Sequence, residues 1–408
     1  MKTSIFLFAF FTYCFQLLTF NCFAQTAYIT NYSDNTVSVI DLATNKVIDT
    51  IAVGSGPYGV SASPDGSSIY IANYGANTVS VINTATNKVS ATITVGNQPL
   101  GIAISPDGSK VYAANNTDGT VSVINSSANT VIATIMIGTN TGGIAVSPDG
   151  NKIYVTNGID SVSVINSTGN TVSSAIAVGN GPLGIAVSPD GSKVYVANEY
   201  DNTVNVINTA TDTISATIKV GSNPVGVCIN PNGRNVYVAN ADANTISVIN
   251  SVADTVSATI KVGNDPEGIS VSPNGNRVFV ANWRDNTVDA ISASENIITA
   301  TIPVGSGPLA FGNFISTYTI PVGIAAHNIA SESINIYPNP AKVNLTIEDS
   351  YIATNEFVSV YDTKGQLLLW RPLLKNITNF DVSAFDKGLY FLKVENESGY
   401  TLKKFVKE

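Results

Sequence analysis

Residues 182–221 read PLGIAVSPDGSKVYVANEYDNTVNVINTATDTISATIKVG. Residues 183–187 form a continuous apolar run, as expected of a strand covered on both faces. Ser188-Pro-Asp-Gly191 is a turn, in which Pro189 presets φ and Gly191 accepts positive φ. Residues 193–198 and 203–207 alternate in polarity, and the loop between them is rich in side chains that bond their own backbone. A fourth strand is expected over 213–220, stopping at Gly221. Four short strands joined by short loops predict one up-and-down antiparallel sheet. Val, Ile and Thr dominate the runs, and no helix-period segment competes.

The same unit recurs seven times between Ala27 and Ile315, with a spacing of about 42 residues. Tyr28, Tyr70, Tyr112, Tyr154, Tyr195, Tyr237 and Phe279 mark one position, and Pro57, Pro99, Pro182, Pro224, Pro266 and Pro308 mark another. Such a period with several strands per unit predicts an all-β, seven-bladed β-propeller, each blade burying its faces against its neighbours. The first repeat begins at its second strand, while Gly307-Pro-Leu-Ala-Phe-Gly-Asn-Phe-Ile315 is an opening strand with nothing after it. This orphan is expected to complete the blade begun at Tyr28 and close the ring, removing the exposed sheet edges of an open array. Burying Leu309, Phe311, Phe314 and Ile315 there stabilises by roughly 1.5–3 kcal/mol per fully buried large side chain. The recurring Tyr-Val-Ala-Asn, Val-Ser-Val-Ile-Asn and Ser-Pro-Asp-Gly phrases resemble the YVTN-type propeller repeat over residues 27–315. That resemblance implies a secreted or cell-surface microbial protein and no single activity.

The repeat ends near Ile315. Residues 316–331 read as a linker, and residues 332–408 hold some seven short strands between turn residues, which predicts a small β-sandwich. This segment contains Tyr337-Pro338-Asn339-Pro340, Tyr361-Asp362 with Gly365-Gln366, Asp381-Val-Ser383, Gly388-Leu-Tyr390 and Lys403-Lys404-Phe-Val-Lys407. In that order they resemble the C-terminal sorting domain of the type IX secretion system of Bacteroidetes. The resemblance implies an address read by the export machinery, usually cleaved afterwards, with Tyr337, Pro338, Asn339, Pro340, Gly388, Tyr390, Lys403 and Lys404 as its motif residues. The alternative is an ordinary adhesive β-sandwich.

Composition limits the partners. Charged residues make up 12% of the 408, about half the usual share, and the formal net charge is −9. An acidic chain without a basic cluster lacks the cations that displace phosphate counterions, so nucleic acid is not expected. Residues 1–24 carry Lys2, an apolar run and Cys22-Phe-Ala24, the layout of a secretory signal peptide cut after Ala24. Processing would leave Cys228, expected to be a small buried hydrophobe rather than half of a disulfide. No later run is apolar enough to predict a transmembrane helix. A secreted or outer-surface location follows.

Residues common to every copy are best explained as architecture. Asp65, Asp107, Asp149 and Asp190 are therefore turn formers, and the Tyr28-type tyrosines are packing residues with a polar tip. Function is expected where copies disagree. Loops joining second to third strands, and those joining blade to blade, emerge on one face of the disc. There the variable positions hold Tyr32, Tyr74, Glu199, Tyr200, Trp283 and Arg284, and the position after the loop proline holds Tyr58 and Glu267 among Leu and Val. Exposed loop aromatics and an arginine are residue types that anchor partners. The expected function is a binding module for an extracellular protein or glycan, with no cofactor or metal. Tolerated loop variation covering the rim is the competing account of the same residues. A lactonase-like hydrolase is a second reading, because Glu199, Asp242, Glu267 and Asp285 could in principle group as calcium ligands or acid–base pairs. No catalytic residue is assigned: the single histidine, His327, lies outside the repeats, and no nucleophile motif is present. A structural surface-layer component is a third. Residues 141–142 replace the usual loop proline in one copy that also lacks a residue between Asn157 and Val162, so the face is asymmetric.

Overall fold

The computed structural model describes residues 25–316, 334–349, 357–362, 367–373, 377–396 and 399–408. Each repeat folds as expected. In the fifth blade the strands Pro182–Val187, Lys193–Asn198, Thr203–Asn208 and Thr213–Lys219 lie in sequence order and pair antiparallel. Six sheets are built this way from four consecutive strands, and the first contains Thr26–Asn31, Thr36–Asp41 and Lys46–Ala52. The fold is an all-β seven-bladed propeller followed by a strand-rich C-terminal module. The fourth blade departs as its sequence does, with an inner strand of only Ile144–Val146.

The turns explain the recurrent Asn, Asp and Gly. Asn35, Asn77, Asn202, Asn244 and Asn286 adopt positive φ before the third strand, where Asn tolerates the left-handed region better than most residues. In the Ser-Pro-Asp-Gly turns, Ser105 Oγ, Ser147 Oγ and Ser188 Oγ donate to Asp107, Asp149 and Asp190 at 2.5 Å. These serine bonds hold the three carboxyls below the usual carboxylate range. The tyrosines of the repeat are buried between blades, and Phe279 takes the same place under the Arg277 guanidinium, 4.7 Å from its ring centre.

Closure is the decisive element. Tyr28 N–H donates to Phe314 O at 2.8 Å, Leu309 N–H to Thr30 O at 2.9 Å, and Ser316 N–H to Thr26 O at 2.9 Å. The closing segment therefore supplies the inner edge of the first blade. Ser316, expected in the linker, belongs to it. Phe314 and Ile315 join the core around Tyr28 as expected, but Phe311 does not. Ala310 and Gly312 both have positive φ, and the chain between them crosses to the second blade, where Phe311 bridges Gly59 and accepts from Val60 N–H at 3.0 Å.

Inner strands approach so closely that only glycine fits at one level. A Cβ on Gly184 would lie 2.0 Å from Val225 O, and one on Gly143 would lie 2.1 Å from Leu183 O. The cavity on the axis, lined by Gly101, Gly143, Gly184, Gly226 and Phe311, is only about 30 Å³, room for roughly one water. Cys228, free and half-buried on its inner strand, packs against the core cluster that includes Tyr237 and Ile269, and burial pushes its thiol up.

In the C-terminal module, Ile334–Tyr337, Asn344–Asp349 and Ile377–Asp381 form one sheet. Leu367–Pro372, Phe357–Tyr361, Gly388–Asn396 and Gly399–Lys407 form the other, around a core that includes Leu345, Val360, Leu392 and Phe405. Among the motif residues, Tyr390 is core: its ring stacks on Phe405 with centres 5.4 Å apart, and its hydroxyl donates to Asp386 O at 2.6 Å. Tyr337, Pro338, Asn339, Pro340, Gly388 and Lys404 are exposed, and Lys403 is half-buried. The expected signal peptide, and residues 317–331 of the expected linker with His327, lie outside the described residues.

Candidate functional site

The loops of the variable face are locked to one another before any functional side chain is placed. Asp118 accepts from Asn97 N–H at 2.7 Å and from its amide at 2.8 Å, and Asp285 holds Asn264 in the same way. Those backbone donors hold both carboxyls below the usual range. Asp285 is thereby committed to loop structure, and the expected grouping with Glu199 and Glu267 does not include it.

On this rigid rim four of the sequence-picked aromatics meet. The Tyr32 and Trp283 ring centres are 5.6 Å apart, Tyr32 and Tyr58 6.5 Å, and Tyr58 and Tyr74 6.2 Å. They come from the seventh, first and second blades, which flank the closure. Phe311, 6.0 Å from Tyr58, extends the chain of rings. Tyr58 also packs with Leu100, Leu183 and Val225, so side chains from the second, third, fifth and sixth blades converge over the channel mouth. The four rings are half-buried. Tyr74 hydroxyl donates to Gln98 Oε1 at 2.9 Å, which fixes that ring.

The carboxyls complete the mouth. Glu267 lies on the inner strand Pro266–Val271, and burial, helped by Asp265 and Glu199, pushes its carboxyl up to about 8. Burial, with Asp242 beside it, raises Glu199 as well. Tyr58 is pushed well up by burial and then by Glu267 and Glu199, which places all three in one electrostatic environment. A carboxyl that stays protonated near neutrality can donate a hydrogen bond or deliver a proton.

Two picks stand outside the ring chain. Arg284 is bound to Asp265 through a 2.9 Å ion pair, so its charge is already answered. Tyr200 is 71% exposed and rests over Gly181, away from the ring chain. Phe311 and the lining Leu100, Leu183 and Val225 are site residues that the sequence reading misses. Leu100, Leu183 and Val225 share the position after the loop proline with Tyr58 and Glu267, whereas Phe311 carries no such signal.

Comparison with known proteins agrees with this architecture. Residues 19–107 match a YNCE-like β-propeller model, residues 143–297 match a model of the seven-bladed lactonase propeller, and residues 335–408 match the secretion system C-terminal sorting domain. No curated protein sequence matches the chain. Among solved structures, hydrazine synthase of Kuenenia stuttgartiensis is similar at 23% identity and a TM-score of 0.61, over 65% of this chain and 92% of that one. A functionally unknown protein from Desulfotomaculum acetoxidans is similar at 16% identity and a TM-score of 0.62, over 71% of this chain and 100% of that one. Such likeness shows the fold. The chain is a seven-bladed β-propeller, similar in its parts to the YNCE-like and lactonase propellers, that carries a C-terminal sorting domain for type IX secretion.

Proposed function

We propose that the exported propeller is a binding module whose ligand is a glycan seated on the channel mouth. The observation that carries this reading is the convergence of Tyr32, Tyr58, Tyr74 and Trp283, one ring chain from three blades, beside Glu199 and Glu267. Half-exposed rings offer flat apolar faces for sugar rings, and carboxyls offer hydrogen bonds to hydroxyls. The axial cavity, about 30 Å³, has no room for a sugar ring, which keeps the ligand on the surface. The sorting domain supports export by the type IX route to the cell surface or the medium, where glycans are met. A glycan array probed with the full chain tests this. The triple variant Tyr32→Ala, Tyr74→Ala, Trp283→Ala is expected to lose at least tenfold in capture, and unchanged capture would reject the mouth as the site.

One observation favours a second reading. The lactonase match spans both Glu199 and Glu267, and the Glu267 carboxyl is poised near 8. A carboxyl with that poise suits general acid–base work on a lactone. Hydrolysis of a lactone panel by the wild type, abolished in Glu267→Gln, would establish this role. No turnover by the wild type would remove it.

A further inference from the structure

The channel mouth is negative in two independent ways. Aromatic rings carry a negative face, and here they form a set around Tyr58. The Tyr32 and Tyr74 rings lie 6.5 and 6.2 Å from that of Tyr58, and Trp283 lies 5.6 Å from Tyr32. The outer rings are seated on loop backbone. A Cβ on Gly56 would lie 3.1 Å from Tyr32 Cε2, and one on Gly307 would lie 3.1 Å from Trp283 Cη2. Rings held this way are ordered before a ligand arrives, which lowers the entropy lost on binding. The second source is the half-buried pair Glu199 and Glu267, which come from the fifth and seventh blades.

No cation of the chain answers this charge. None of the ion pairs among the described residues involves Glu199 or Glu267. Arg284, on the same face, is held by Asp265 at 2.9 Å. The cation–π contact among the described residues is Arg277 over Phe279, part of the packing between blades. Burial raises the Glu267 carboxyl, and Asp265 and Glu199 add to it; burial and then Asp242 raise Glu199; no positive group offsets either. The Tyr58 hydroxyl is pushed up by burial and then by these two carboxyls, so rings and carboxyls share one negative field. A cation brought into this field favours the ionised carboxylates and is attracted by the ring faces as well.

We propose that the ligand brings a positive charge to the mouth: it is a glycan with a free amino sugar, whose ammonium group meets the Tyr32, Tyr58 and Trp283 rings and is held by Glu199 and Glu267. This inference rests on the glycan reading of the mouth and deepens it. An ammonium donates hydrogen bonds to both carboxyls while its charge is drawn to the rings. An acetylated amine keeps the sugar backbone but loses the charge, and an anionic sugar is repelled by the carboxyls.

Glucosamine and N-acetylglucosamine oligomers of equal length test it, because they share one backbone and differ in the ammonium group. Titration calorimetry on the full chain near neutral pH is expected to show the glucosamine oligomer binding at least tenfold tighter, with the preference shrinking as salt is raised. Glu199→Gln with Glu267→Gln is expected to bring the two affinities to within about twofold of each other. If the double variant unfolds, Glu199→Gln, on an exposed loop, decides alone by a severalfold loss of preference. Equal affinity for the two oligomers, or tighter binding of the acetylated one, would overturn the inference and leave the glycan reading standing. A tenfold preference kept by the folded Gln variants would overturn the role given to the carboxyls. Failure of both oligomers to bind a chain that captures uncharged glycans on the array would overturn the inference alone, whereas capture of no glycan would overturn the reading beneath it as well.

Discussion

At residue 267 a carboxyl stands where other repeats place Leu100, Leu183, Val225 or Leu309. Its raised pKa is a statement about stability. Below the ordinary carboxylate range both folded and unfolded chains hold the proton. Between that range and about 8 the unfolded chain gives it up more readily, so stability contributed by the protonated form falls as pH rises through this window. Glu267→Gln is therefore expected to raise the melting temperature at pH 8.5 and to change it little near pH 4; an equal gain at both would contradict the assignment. Gly184 makes the opposite demand, for the absence of a side chain. Gly184→Ala forces a methyl 2.0 Å from Val225 O and is expected to cost more than about 2 kcal/mol in a denaturant titration. At this scale the sequence is partly legible. Disagreement among copies points to Tyr32, Tyr58, Tyr74 and Trp283, which do meet. It cannot tell that Arg284 is paired with Asp265 or that Tyr200 rests on Gly181 largely exposed, because side-chain placement on a loop is set by its neighbours in the fold.

Among the elements, the closing segment 308–316 differs most from its sequence reading. Its place against the Tyr28 strand follows from counting strands, one missing at the start and one left over at the end. Its path does not. A positive φ at Ala310, a residue with no special liking for it, turns Phe311 out of the first blade and into the mouth, and no local pattern announces such a turn. Phe314, wholly buried beside Tyr28, reports on the seam. Phe314→Ala is expected to destabilise by about 3–5 kcal/mol, measured by thermal or denaturant unfolding. The second strands each end in a buried Asn that ties its blade together; Asn240 Nδ2, for example, donates to Thr245 Oγ1 at 3.1 Å and Ser247 Oγ at 3.0 Å. Asn240→Ala strands both hydroxyls and is expected to cost about 1–3 kcal/mol by the same measurement. The identical Asn in each repeat is thus architecture, as its repetition implies.

For the molecule as a whole, the ring is legible because a period of strands leaves few ways to bury both faces of every sheet. Less legible is that the candidate site and the asymmetry of construction coincide. The ring chain of the mouth comes from the blades that flank the seam, where a non-repeated inner segment enters, so the closure and this part of the candidate site share the same few hydrogen bonds. Amide hydrogen exchange at the seam examines this most directly. Tyr28, Val60, Leu309 and Ser316 N–H are bonded across it to Phe314, Phe311, Thr30 and Thr26 carbonyls. They should be protected as strongly as the inner-strand amides of the fifth blade. Exchange of all four at the rate of open loops, while the fifth blade stays protected, would mean that the ring is not shut and that the mouth has no fixed form.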